Sequence, residues 1–151
     1  MTVKEEHDGS VTIVTINRPE AHNAVNMETA AALAAAIERF KHDDRSNVLV
    51  LTGSGPKSFC AGADLKDIPA LLTNDKFCDS VGPMGFAKLD PGKVTIAAIN
   101  GYCFAGGLEL AAWCDFRIAE AQAEFGAPGV DPDSAIAQEE IFGPVSRLSR
   151  S

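Results

Sequence analysis

Apolar positions along the chain follow two rhythms. Val3 to His7 and Val11 to Ile16 flank Asp8-Gly9, and in the second run Val11, Ile13 and Thr15 alternate with Thr12, Val14 and Ile16. That pattern predicts two strands about a tight turn, a hairpin that opens the fold. Asn17-Arg18-Pro19 ends the second strand, because proline donates no ladder hydrogen bond, and Glu20 to Asn26 reads as a polar loop. The rhythm then changes. From Met27 to about His42, Leu33, Ala36, Ile37 and Phe40 fall at i, i+3, i+4 and i+7, which lines one helical face, and Asn26 is placed to cap it.

Val48 to Thr52 is wholly apolar apart from its last residue and fits a buried strand, closed by the turn residues Gly53 to Lys57. Phe59 to Asp64 leads into a glycine turn at Gly62, with Asp64 as N-cap of a short turn from Leu65 to Ile68 that Pro69 breaks. Leu71 to Lys88, interrupted by Gly82-Pro83 and Gly85, reads as a short helix plus a mobile loop. Asp90-Pro91-Gly92 turns into the stretch from Val94 to Cys114 that organises the chain. There Val94, Ile96 and Ile99 suit a buried strand, the run breaks at Asn100-Gly101, and Leu108, Leu110, Ala111 and Ala112 restart as a helix after Gly106-Gly107. Phe116 to Ala119 is a last short strand. One α/β domain is expected, with Val48–Thr52 beside Val94–Asn100.

The chemistry belongs to the two strand-to-helix junctions, at Gly62-Ala63 and Gly106-Gly107. Glycines let backbone N–H groups approach a ligand, and a helix N-terminus leaves its first N–H groups unpaired with partial positive charge nearby. If neighbouring strands carry the junctions, the two N–H groups converge on one oxygen and form an oxyanion hole, which implies carbonyl activation. Glu109 enters the first turn of the later helix as a candidate acid or base, expected to be shielded and turned toward the space between Ala63 and Gly106. The plainer alternative is that the glycines only permit close packing and Glu109 caps the helix.

Composition narrows the classes. The 151 residues are 46% hydrophobic with a formal net charge of −8, enough for one core and unsuited to binding nucleic acid or an anionic membrane through bulk electrostatics. The opening MTVKEEHDG has neither the basic nor the apolar region of a signal peptide, so a soluble cytoplasmic protein is expected. Cys60, Cys78, Cys103 and Cys114 show no CxxC spacing; with only His7, His22 and His42 to join them, they read as reduced, mostly buried thiols rather than metal ligands.

Three stretches in order, NRPEAHNAVN from Asn17, SFCAGADLKDI from Ser58 and IAAINGYCFAGGLELAAWCDFRIAEAQAEFGAP from Ile96, resemble the successive signatures of the crotonase superfamily, which includes enoyl-CoA hydratases and isomerases. The resemblance spans Val3 to about Pro128. It implies a repeated ββα spiral, a crotonase-like core over residues 1–130, and a CoA thioester as substrate, coenzyme A entering only as part of that substrate and no cofactor being bound permanently. By position it implies an oxyanion hole from the backbone N–H groups of Ala63 and Gly106, and an acyl-CoA lying along Ala63, Asp64, Leu65 and Lys66. It also implies that Ala24 lies beside the pantetheine and adenine end and that Lys66, rather than Lys57, meets CoA phosphate. Glu109 matches the first of the two glutamates with which hydratases hold and activate water.

The chain departs from that pattern twice. Where family hydratases read F-G-x-P-E, it reads Phe125-Gly126-Ala127-Pro128-Gly129, so the second carboxylate is absent, and nothing in the sequence puts Glu124 or Asp131 in its place. The alternative to an enzyme is therefore a non-catalytic acyl-CoA-binding module or an inactive remnant. The glycine-rich segment and closing helices that build the family trimer or hexamer are also missing, which leaves an apolar patch expected to be exposed. Residues 131–151 read instead as a divergent, poorly ordered tail, in which EEIFGPV is similar over seven residues to a segment of aldehyde dehydrogenases that meets the nicotinamide ribose; without that family's core the likeness carries no function.

Overall fold

The computed structural model describes residues 1–127 and the strand at 146–148. The opening hairpin is β1 (Val3–Asp8) with β2 (Val11–Ile16), followed by helix α1 (Met27–His42), whose N-terminus is capped by the Asn26 carboxamide accepting from Thr29 N at 2.9 Å. Strand β3 (Val48–Gly53) and strand β5 (Val94–Ile99) lie side by side and parallel, Val48 opposite Val94 and Leu51 opposite Ala97, as the sequence predicts. With β7 (Phe116–Glu120) and β9 (Ser146–Leu148) they make a six-stranded sheet in the order β1-β2-β3-β5-β7-β9, parallel apart from the first pair.

That order runs in one direction from β2 to β9. Right-handed crossovers between parallel strands added always on the same side place every connection on the same face. The burial pattern obeys: Thr12, Val14, Leu49, Leu51, Thr95, Ala97, Ile99 and Ala119 point into the core with Leu33, Ile37 and Phe40 of α1. On the opposite face Val11, Ile13, Val48, Val50 and Ile96 are half-buried, and Val94, Phe116 and Ile118 are exposed.

Beneath the covered face lies a second parallel sheet of very short strands, β4 (Ser58–Cys60), β6 (Tyr102–Phe104) and β8 (Phe125–Gly126), which the sequence pattern does not announce. Thus the glycine turns after Ile99 and Cys60 are not direct strand-to-helix passages. The chain first inserts β6, then enters α4 (Gly106–Trp113). One further expectation is corrected. Pro69 does not end a turn but sits in the first turn of α2 (Ile68–Thr73), where its missing N–H costs nothing. Asp64 caps the short turn as expected, its carboxylate accepting from Lys66 N at 3.2 Å and its carbonyl from Asp67 N at 2.9 Å; the position before α2 is Asp67, whose carboxylate accepts from Met27 N at 3.1 Å. The segment after α2 forms a further short helix, α3 (Asp75–Val81). Strand β9 lies inside the stretch expected to be poorly ordered. The open edge of β7 offers it unpaired backbone groups, and the rest of residues 128–151 lies outside the described residues.

Candidate functional site

The site is built where the two glycine turns touch. Gly62 has φ +95°, and a Cβ added to it would stand 2.9 Å from Gly106 N, so the two backbones meet only because no side chain separates them. Gly62 and Ala63 are tied to the loop before α1 by a parallel bridge, Val25 N donating to Gly62 O and Asp64 N to Val25 O, both at 2.8 Å. In that pairing the N–H of Ala63 points away from Val25. Gly106 opens α4, where no preceding helical carbonyl can accept its N–H. Among the described residues neither N–H has an acceptor. Between them, Ala105 adopts φ +47°, ψ −120°, a conformation that costs a non-glycine residue about 1–3 kcal/mol; it is held by Ala105 N donating to Gly126 O and by its own carbonyl accepting from Leu108 N, both at 2.9 Å.

A cavity of about 840 Å³ opens at this junction, and all seven residues singled out in the sequence line it: Ala24, Ala63, Asp64, Leu65, Lys66, Gly106 and Glu109. One end is apolar and buried, walled by Leu71, Met84 and Phe86; the other is open, with Leu65 81% exposed and Lys66 in solvent. Lys57 and Glu124 are exposed and do not line it. A second depression, of about 710 Å³ between Leu89 and Phe116, holds none of the seven.

Glu109 requires a correction. It faces the cavity, but it is exposed rather than shielded. Helix α4 turns Gly107, Leu108, Leu110 and Ala111 into the core, so Glu109 falls on the remaining face, and there the cavity is open to water.

The polar framework was not foreseen. Arg18 donates to Ala24 O at 2.6 Å and to the Asp64 carboxylate at 3.0 Å, clasping the Ala24 loop to the segment from Ala63 to Lys66. The Lys66 N–H first, and then Arg18, hold the Asp64 carboxyl below the ordinary carboxylate range; it is a fixed anion, not a proton carrier at neutral pH. Asn23 is fully buried in the left-handed region at φ +56°. It donates to Ser54 O and Ser58 O at 3.0 and 2.7 Å and accepts from Arg18 N at 2.9 Å. The carboxamide of Asn100 likewise joins the ends of β3 and β5, donating to Gly53 O at 2.8 Å and Gly55 O at 2.7 Å. Asparagine's tolerance of positive φ was a readable signal for Asn23; nothing local marks Arg18.

Burial pushes the Cys60 thiol up to about 12 and raises that of Cys103, so neither supplies a thiolate beside the glycine turns. His22 is exposed at the cavity rim, its ring edge-on to Tyr102 at 5.9 Å between centroids. No helix among the described residues is long and apolar enough to cross a membrane.

Comparison with known proteins agrees with this architecture. The profile of the enoyl-CoA hydratase/isomerase family matches residues 6–132. The chain is 40% identical to a short-chain-enoyl-CoA hydratase of Clostridium acetobutylicum, over 96% of its own length and 55% of that protein's. It is 36% identical to a crotonyl-CoA hydratase of Syntrophomonas wolfei over the same shares. The structure of a carnitinyl-CoA dehydratase from Mycobacterium avium superposes with a TM-score of 0.77 at 43% identity, covering 84% of this chain and 50% of that one. The chain spans about half the length of the relatives it matches.

Proposed function

Because this chain belongs to the enoyl-CoA hydratase/isomerase family, we propose that its cavity binds a CoA thioester whose carbonyl oxygen sits between the N–H groups of Ala63 and Gly106. The observation that supports the reading is the backbone contact of Gly62 with Gly106 beside a cavity lined by Ala63, Gly106 and Glu109; among the described residues neither the Ala63 nor the Gly106 N–H has an acceptor. The thioester lies along Ala63 to Lys66, with Lys66 at the open end for CoA phosphate and Ala24 beside the pantetheine. Coenzyme A is then part of the substrate, and the chain's own groups supply the chemistry.

Addition of water to an enoyl thioester forms a bond from the water oxygen to C3 and sends the C2–C3 electron pair to C2, with negative charge spread onto the thioester oxygen. Two N–H donors stabilise that oxygen; loss of one such donor typically costs about 3 kcal/mol. Glu109, as a carboxylate, takes the proton that the water gives up, and the enolate takes a proton at C2. Hydratases that the sequence resembles divide these tasks between two glutamates. Gly129 stands where the second would be, so Glu109 must both take the water proton and return it to C2. That vacancy favours a second reading, a thioester-binding module with little turnover.

The test measures butyryl-CoA binding by calorimetry and crotonyl-CoA hydration by loss of enoyl absorbance in the wild-type chain, Glu109→Gln and Gly129→Glu. Binding by all three is expected, with slow hydration by the wild type, a further fall of roughly 100- to 10,000-fold in Glu109→Gln, and a gain in Gly129→Glu. Hydration indifferent to Glu109 would remove its role, and no binding of any CoA thioester would remove the pocket's.

A further inference from the structure

The buried end of the cavity carries one side chain in an unusual place. A Cβ on Gly106 would overlap Met84 Sδ, so the thioether lies directly against the Cα of Gly106, and both residues line the cavity. Met84 is only 6% exposed. It is held from both sides: Gly85 packs so tightly on α1 that any side chain there would overlap Ala30 O, and its N–H donates to Gly82 O at 3.0 Å. Phe86 is buried edge-on to Trp113, with ring centroids 6.0 Å apart. The backbone of residues 82–86 is therefore held from both sides, and the Met84 side chain projects from it onto Gly106 at the buried end of the cavity.

We propose that Met84 is the stop that sets acyl-chain length, making this a site for short acyl groups. The inference rests on the thioester reading above. An acyl chain directed toward Leu71 and Phe86 meets the thioether within its first carbons, and further methylenes enter only if it swings aside. Methionine has three rotatable bonds and a soft sulfur, so the barrier is graded, and truncation opens the space behind it.

The test is calorimetric binding of butyryl-CoA and decanoyl-CoA to the wild-type chain, Met84→Ala, Met84→Val and Met84→Leu, with circular dichroism to establish that each variant is folded. Each additional buried methylene is worth about fourfold in affinity. The wild type should bind butyryl-CoA at least as tightly as decanoyl-CoA. Met84→Ala should move the ratio at least about tenfold toward decanoyl-CoA, Met84→Val in the same direction, and Met84→Leu, of similar volume, should leave it near the wild-type value. Should the alanine variant fail to fold, the valine variant reads the same ratio. Thioester binding with one unchanged ratio across the folded variants overturns the role of Met84 and leaves the thioester reading intact. Binding of neither ester by the wild type overturns that reading and the inference with it.

Discussion

Ala105 shows how the site is held at the level of one residue. Its positive φ is imposed by the contact between β8 and the start of α4, through Ala105 N to Gly126 O, and not by anything alanine prefers. Ala105→Gly is expected to raise stability by about 1 kcal/mol, because glycine reaches this conformation without the Cβ penalty; urea unfolding checks it, and an unchanged or lower midpoint would argue against strain here. Asp64 gives a pH dependence. Its folded carboxyl is more acidic than in the unfolded chain, so its contribution is fully present above the ordinary carboxylate range and is lost as pH falls through about 4 toward the folded value. Arg18→Met should flatten that acid limb of a stability-against-pH curve. Ala63, Gly106 and Glu109 were readable because they lie within short local motifs, whereas Ala24, Asp64, Leu65 and Lys66 entered as substrate contacts only through the family resemblance. Arg18, Asn23 and Met84 act across 46, 35 and 22 positions of sequence, on Asp64, Ser58 and Gly106 respectively, a separation that no local pattern reports.

Among the elements, legibility followed length and periodicity. Helix α1 could be read to its ends, since it is four turns long, has a clear apolar face and carries its own cap at Asn26. The strands β4, β6 and β8 are two or three residues long, too short for alternation to appear, and their existence depends on the closure of the second sheet. The C-terminus of α1 is finished from a distance in the same way: Lys93 Nζ donates to Phe40 O at 2.6 Å, Asp43 O at 2.8 Å and Ser46 O at 2.9 Å, with the ammonium 4.7 Å from the centre of the Phe40 ring. All three ammonium protons are thereby placed. Lys93→Met keeps the stem and removes the charged donors, and is expected to cost about 2–3 kcal/mol, read from urea unfolding; a loss below about 0.5 kcal/mol would mean that water replaces the lysine without penalty.

For the whole molecule, the governing fact is the one-directional strand order, which covers one face of the six-stranded sheet and leaves the other without a helix among the described residues. Sheets of parallel strands are ordinarily covered on both faces, yet here Phe116 is 58% exposed, Val94 41% and Ile118 37%. These are the side chains, among the described residues, that the expected apolar patch would contain, and sedimentation of the purified chain should show concentration-dependent self-association, reduced in Phe116→Lys with thioester binding retained; a monomer at all concentrations would contradict this. Val48–Thr52 and Val94–Ile99 read as buried strands, and such continuous apolar runs fit a sheet that is apolar on both faces. Which face lacks a covering helix among the described residues follows from crossover handedness together with strand order, and strand order is not written in any one segment.

The central claim is that two backbone N–H groups, of Ala63 and Gly106, meet one thioester oxygen. Infrared difference spectroscopy of butyryl-CoA labelled with carbon-13 at the thioester carbonyl reads that oxygen directly. Two hydrogen bonds to it weaken the C=O bond, so the labelled band of the bound ester should move to lower wavenumber than in water, and Glu109→Gln should leave the shift in place because the donors are backbone groups. A bound ester whose carbonyl band stays at its position in water would contradict the account.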